Sequence, residues 1–237
     1  MLIQGRIGHE DRDAWRMIQQ YATSHTIDSP KSHHVYESAF PAAVQPGMNA
    51  LKYGSLYREI RDRMGSETHY VETIDSMNEL YVSASDADGS DRVFETHHVD
   101  GPFLFLPWCR VFRCIVGLTP NQSVITHFPS QHAWVLVDER DFVAFDYNRD
   151  IHSIFVMKQA EERRMTLKLH YICCPYFVPR WWVRCCKALH VGYNSVMRAL
   201  FLQSQLHPTQ RGWGSRALAW TINTGTVAYC RLVQRII

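Results

Sequence analysis

The chain has no CxxC pair, no internal repeat, no low-complexity tract and almost no net charge. Each absence closes a class. A formal charge of +2 over 237 residues is too small to hold a polyanion by charge alone, so nucleic acid is not an expected partner. Seven cysteines are an odd number. The adjacent pairs Cys173-Cys174 and Cys185-Cys186 cannot each close a normal disulfide with their own neighbour, and their spacing fits no usual zinc pattern. Reduced, buried thiols in an intracellular, cytoplasmic protein are the expectation. The opening MLIQGRIGHEDRD carries charges where a secretory leader needs an apolar core, so none is expected. Long apolar runs are also scarce. The stretch ALAWTINTGTVAYCRLV (217–233) comes nearest. It lies near the lower length limit for crossing a bilayer, and Thr, Asn and Gly interrupt it. It reads as a packed segment with a side able to touch a membrane, not as a span.

What is present is an ordinary globular composition, 46% apolar and 20% charged, enough to bury a core. One domain is expected, in three parts. Residues 1–91 read as mostly helical support: SLYREIRDRM (55–64) sets Leu56, Ile60 and Met64 on one helical face. KSHHVYESAFPAAVQPG (31–47) reads as a connection, and SASDADGSD (83–91) as a solvated turn. Residues 92–178 read as strands. VFRCIVGL, SVITHF, AWVLVD, DFVAFDY and MTLKLHYICC are short, rich in β-branched and aromatic residues, and bounded by turn residues. That spacing indicates a sandwich or barrel, and ERDF (139–142) reads as a tight hairpin. Residues 179–237 return to a helical and apolar pattern.

The chemistry concentrates at THHVDGPF (96–103). Along a strand, residues i and i+2 face one side, so His98 and Asp100 present an imidazole and a carboxylate to one point. Alone, such a pair is more often a hydrogen-bonded surface pair than a site. A 2-His-1-carboxylate set needs one more histidine from a distant strand and leaves open positions on iron. His152, at the end of DFVAFDYNRDIH, is the candidate; His127 and His132 are rivals that leave fewer strands between. Arg164, twelve residues after His152, is placed to hold a carboxylate as a bidentate partner. Thr166 shares its strand face, which favours Arg164 over Arg163. Arg113 offers either a second carboxylate contact or an ordinary outward charge, the outward charge being slightly favoured. Phe103, Phe105 and Trp108 read as core or pocket wall, and Trp181-Trp182 as core packing by default, with covering the barrel or touching an apolar substrate as the alternatives.

The order His98-x-Asp100, several strands, His152, then Arg164-x-Thr166 resembles the Fe(II)- and 2-oxoglutarate-dependent dioxygenases. DFVAFDYNRDIHSIF followed by RRMTLKLHYICCP also looks like the aspartyl/asparaginyl β-hydroxylase-like branch, although Asp100 at the carboxylate position departs from that branch and argues against its substrate. The resemblance covers about residues 92–175. It implies an α+β fold with a double-stranded β-helix, a jelly-roll barrel, flanked by N- and C-terminal helices. It implies Fe(II) on His98, Asp100 and His152, and 2-oxoglutarate as co-substrate with its far carboxylate on Arg164 and Thr166. The implied reaction is O2-dependent hydroxylation of an unactivated C–H bond in a small-molecule, peptide or lipid-like substrate. Asp100 disfavours halogenation, since halogenases of this type lack the carboxylate ligand. Two alternatives come from other classes: a cupin-like metalloprotein that does not use 2-oxoglutarate, and a non-catalytic barrel that binds a membrane or partner.

Overall fold

The structure is a computed structural model that describes residues 1–24, 32–83, 97–157, 163–204 and 228. The expected turn at 83–91, apart from residue 83, and the apolar stretch 217–233, apart from residue 228, lie outside the described residues. Ten strands and four α-helices are described, the strands in two antiparallel sheets.

The larger sheet is built from β1 (Ile3–Arg6), β8 (Asp141–Asp146), β5 (Arg110–Gly117), β10 (Met165–Pro175), β4 (Glu79–Val82) and β2 (His33–Tyr36), in that order, with β3 (His69–Thr73) beside the end of β10. The smaller sheet is β7 (Ala133–Leu136), β6 (Val124–Phe128) and β9 (Ser153–Val156). An isolated antiparallel bridge, His98 to His152, lays the segment around His98 along the run into β9. From β4 onward the chain passes repeatedly between the sheets, in the jelly-roll order. The inner faces meet through Phe128, Val135 and Val137 on one side and Val143 and Phe145 on the other.

Three helices cover the outer face of the larger sheet: α1 (Arg12–Ser24), α2 (Gln45–Tyr53) and α3 (Ser55–Met64). In α1 the buried residues Trp15, Ile18 and Ala22 recur at helical spacing. In α3 Leu56 and Ile60 are buried, with Met64 packed against the same core, as the periodicity predicts. Gly65 ends α3 at φ 83°, a conformation that glycine adopts without a Cβ penalty. These faces pack on Phe112, Cys114, Val116, Leu167, Leu169 and Tyr171. The long helix α4 (Arg180–Ser204) confirms the helical reading of WWVRCCKALHVGYNSVMRALFLQ. No helix among the described residues is long and apolar enough to cross a membrane.

Three expectations are corrected. Residues 1–91 do supply the supporting helices α1 to α3, but β1 to β4 also pair into the larger sheet, so the barrel is not confined to 92–178. Within 31–47, His33–Tyr36 forms β2, and Pro46-Gly47 lies in the first turn of α2. There, a proline's missing N–H costs nothing. ERDF is no hairpin. β7 pairs with β6, while β8 pairs with β1 and β5, so the chain crosses from one sheet to the other there, with Arg140 at φ 67°.

Candidate metal centre

In the bridge between His98 and His152, each residue's N–H donates to the other's carbonyl at 2.9 Å. Residues paired in this way carry their side chains on one face. Asp100, two residues on, joins that face. One ligand atom from each of His98, Asp100 and His152 lies within 4.8 Å of the other two, and the two imidazoles are 4.4 Å apart between centroids. The turn after Asp100 is held tight. The Gly101 N–H donates to the Tyr147 carbonyl at 2.9 Å, and a Cβ on Gly101 would sit 2.4 Å from the Tyr147 ring and from Asn148 Oδ1. Only glycine lets the ligand segment lie this close.

The tautomer of His152 is set by its neighbour. Its Nδ1 faces the Asp150 carbonyl at 3.1 Å, so the proton belongs there and Nε2 keeps a free lone pair. That Nε2 is 3.8 Å from Asp100 Oδ2, too far for a hydrogen bond. Asp100 Oδ2 is buried and has no hydrogen-bond partner, a costly state for a carboxylate oxygen. Asp100 Oδ1 is 2.7 Å from Arg113 Nη1. Burial pushes the Asp100 pKa up, but the Arg113 charge and the two histidines outweigh it and hold it at about 2. Burial, then the His98 charge, push His152 down to about 4, against the pull of Asp100. At neutral pH the set is therefore one carboxylate and a neutral His152, the protonation state a divalent metal needs. The orphaned Asp100 Oδ2 and the free His152 Nε2, both turned into one small space, fit a metal ion bound at these residues.

The surrounding interior is more charged than the sequence reading foresees. Arg113 is buried and points inward, which corrects its reading as an outward charge. Its Nε donates to His170 Nε2 at 3.0 Å, and its guanidinium lies 4.8 Å from the Tyr147 ring centre. One step along β10, Lys168 Nζ is 3.1 Å from the fully buried Glu79, which also meets Arg198 of α4 and His34. Burial pushes the Lys168 pKa down, and Arg198 and Arg113 add to the effect against Glu79, leaving it at about 8. α4 also steadies the ligand segment: Asn148 takes the Phe103 N–H on Oδ1 at 3.2 Å and meets His190 Nε2 at 3.0 Å. Period-two alternation along MTLKLHY was the available signal for Lys168 and His170, since they share a face with Thr166.

The rival ligands are elsewhere. His127 stacks on Trp134 at 4.0 Å, and His132 sits in a left-handed turn at φ 49°; neither joins the cluster. Arg164 and Thr166 are both buried, Arg164 with its N–H donating to Ser83 Oγ at 2.9 Å. Thr166 pairs with Tyr81 and Gly117, whereas the His170–Arg113 row next to the triad is four residues further along β10. At a strand rise of about 3.4 Å, Thr166 is about 13 Å and Arg164 about 20 Å along the strand from that row, against about 7 Å for Lys168. The cysteine pairs are split: Cys173 faces the helices, while Cys174 faces α4 and Cys186, with its thiol 2.9 Å from that of Cys109.

No family model and no curated protein matches the sequence. Among solved structures, the chain is similar to a viral collagen prolyl hydroxylase from Paramecium bursaria Chlorella virus-1, solved with 2-oxoglutarate. The identity is 14%, covering 73% of this chain and 96% of that one, at TM-score 0.46. It is similar to a prolyl 4-hydroxylase from Phytophthora capsici at 14% identity, covering 99% and 86%, at TM-score 0.48. It is also similar to HygX from Streptomyces hygroscopicus, solved with nickel and 2-oxoglutarate, at 15% identity, covering 75% and 83%, at TM-score 0.46. The likeness to the aspartyl/asparaginyl β-hydroxylase branch gains no support from these comparisons. The functional reading rests on the side chains described above.

Proposed function

We propose that the protein is an Fe(II)- and 2-oxoglutarate-dependent oxygenase that hydroxylates an unactivated C–H bond of an organic substrate, a small molecule or a peptide or lipid-like chain. The observation that carries this is the convergence of His98, Asp100 and His152 on one face, with Asp100 Oδ2 buried and unsatisfied. Two nitrogens and one carboxylate oxygen on one side of a metal form the facial set that leaves positions open for co-substrate and oxygen. When bound, Fe(II) and 2-oxoglutarate supply the chemistry: O2 oxidatively decarboxylates the keto acid to succinate and CO2, and the second oxygen atom enters the substrate C–H bond.

The chain's own residues prepare the site. Asp150 fixes the His152 tautomer, Arg113 keeps Asp100 ionised, and Phe128 and Phe145 pack against the His152 ring. The sequence reading gives the far carboxylate of 2-oxoglutarate to Arg164 and Thr166. Strand spacing supports Lys168 in that role, one row from the His170–Arg113 row that meets Asp100 instead of two or three. Charge supports it too. Around Glu79 and Asp100, the cations Arg113, Lys168 and Arg198 outnumber these two carboxylates, so a bound dianion would relieve their mutual repulsion.

One observation favours the cupin-like reading without 2-oxoglutarate. Glu79 already engages both Lys168 and Arg198 and so supplies an internal carboxylate. Anaerobic titration of apo-protein with Fe(II), then 2-oxoglutarate, separates the two. The proposal expects the weak visible charge-transfer band of the chelate in wild type and none in His152→Ala, with succinate released once O2 and a substrate are added. Iron binding with no band on adding 2-oxoglutarate would establish the second reading.

A further inference from the structure

Among the described residues, the guanidinium of Arg113 is the buried charge closest to the three candidate ligands, and no ligand role accounts for it. We propose that Arg113 is a positioning residue that restricts Asp100 to a single metal-binding oxygen. The inference rests on the metal reading above.

The geometry is specific. Arg113 comes from β5, directly opposite His170 on β10 and Phe145 on β8. Its Nε donates to His170 Nε2 at 3.0 Å, its planar face lies on Tyr147 at 4.8 Å, and its Nη1 meets Asp100 Oδ1 at 2.7 Å. His170 is itself held, with its backbone N–H donating to Asn78 Oδ1 at 2.8 Å. The fork is fixed on both sides before it reaches Asp100. The consequence is an asymmetric carboxylate: Oδ1 is engaged, and Oδ2 faces His152 with no partner.

Stability is a poor reason for this arrangement. Buried ion pairs are often no more stabilising than well-packed apolar side chains of similar volume, and the positions two residues either side of Arg113 on the same face are Val111 and Ile115. An arginine makes sense because one planar fork serves two partners at a set distance, which a lysine does not do. Held in this way, Asp100 cannot turn both oxygens onto the metal, and the coordination position that a second oxygen would take stays open. Neighbours of this kind commonly alter metal affinity by about 10- to 100-fold when removed.

The test is Co(II) titration of purified full-length protein, read by visible absorption, in wild type, His98→Ala, Arg113→Met and Arg113→Lys, with far-UV circular dichroism as the fold control. The expected result is one Co(II) site in wild type that is lost in His98→Ala. Arg113→Met should weaken binding by about 10-fold or more and change the visible spectrum, because Oδ1 becomes free to join the metal. Arg113→Lys should fall between. A folded Arg113→Met with wild-type affinity and spectrum overturns the proposal. If that variant does not fold, an unchanged affinity and spectrum in Arg113→Lys overturns it equally. If wild type itself takes up no Co(II), the metal reading fails and the positioning role with it.

Discussion

Strand β10 has two faces that obey different rules. Met165, Leu167, Leu169, Tyr171 and Cys173 point into the helices and belong to one apolar core. Thr166, Lys168 and His170 point into the barrel, all buried or nearly so, among charges and hydrogen bonds. From 165 to 171 the strand thus carries packing on odd positions and polar chemistry on even ones; beyond that, Ile172 and Cys174 also pack in an apolar cluster. The outer face satisfies itself by area, at about 25 cal/mol per Å² of apolar surface removed from water. The inner face costs desolvation at every group, a cost that the proposed metal and co-substrate would offset.

The strongest way to break this division is to remove one residue from each side. His152→Ala should abolish Fe(II) or Co(II) binding altogether while leaving the unfolding midpoint near that of metal-free wild type. Leu169→Ala should do the reverse, costing about 2–5 kcal/mol of stability through the cavity it leaves, with metal stoichiometry per folded molecule unchanged. Denaturant unfolding and metal titration on both variants check the pair. If Leu169→Ala lost the metal while still folded, the two faces would not be independent.

Acid should distinguish the faces next. His34, His152, His170 and His190 are buried rings whose pKa values lie below the ordinary value, burial being the largest cause in each case. They fall to about 3 at His34 and about 4 at His152. The unfolded chain protonates these rings below about pH 6.5, and the folded chain does not. The unfolded state then binds more protons, so this contribution is intact above pH 6.5 and is lost as pH falls toward the folded values. At pH 5 a ring depressed as far as His34 or His152 costs about 2 kcal/mol. Asp100, held at about 2, acts only below the ordinary carboxylate range and does not confuse this window. Urea unfolding at pH 7.5 and pH 5 should show a clear drop in midpoint; equal midpoints would mean the rings are not buried in neutral form.

The same alternation decides what was legible in the sequence. Five of the six strands from β5 to β10 could be read because their apolar residues are continuous or alternate cleanly; β9 is not among them. β1, β2 and β4 are four residues each, too short for a period to register, and they form because neighbouring strands of the sheet pair with them; β7 is as short but continues the apolar run AWVLVD. The triad could be read because His98 and Asp100 are local and His152 follows an apolar strand and its polar turn. Arg113 could be read only as one of two alternatives, because an arginine inside VFRCIVGL fits an outward charge as readily as a carboxylate contact until Asp100 and His170 are placed beside it. Lys168 and His170 were legible as neighbours of Thr166 on one strand face, but nothing in the sequence says which of these side chains faces the triad.

The smallest expected effect is also the sharpest discrimination along that inner face. If the far carboxylate of 2-oxoglutarate reaches one row from the triad, Lys168→Met should weaken 2-oxoglutarate binding to the Fe(II) protein about tenfold, roughly 1.4 kcal/mol. Glu79 keeps Arg198 and His34 as partners, so the variant does not leave a bare buried carboxylate. Arg164→Ala, about 20 Å along the strand from the His170 row, should leave that affinity within about threefold, less than 0.7 kcal/mol. The charge-transfer band under anaerobic titration reads both. A large loss in Arg164→Ala with none in Lys168→Met would place the carboxylate at the start of β10. The excess of buried cations around Glu79 would then serve the closure of α4 over the barrel, through Arg198, and not the co-substrate.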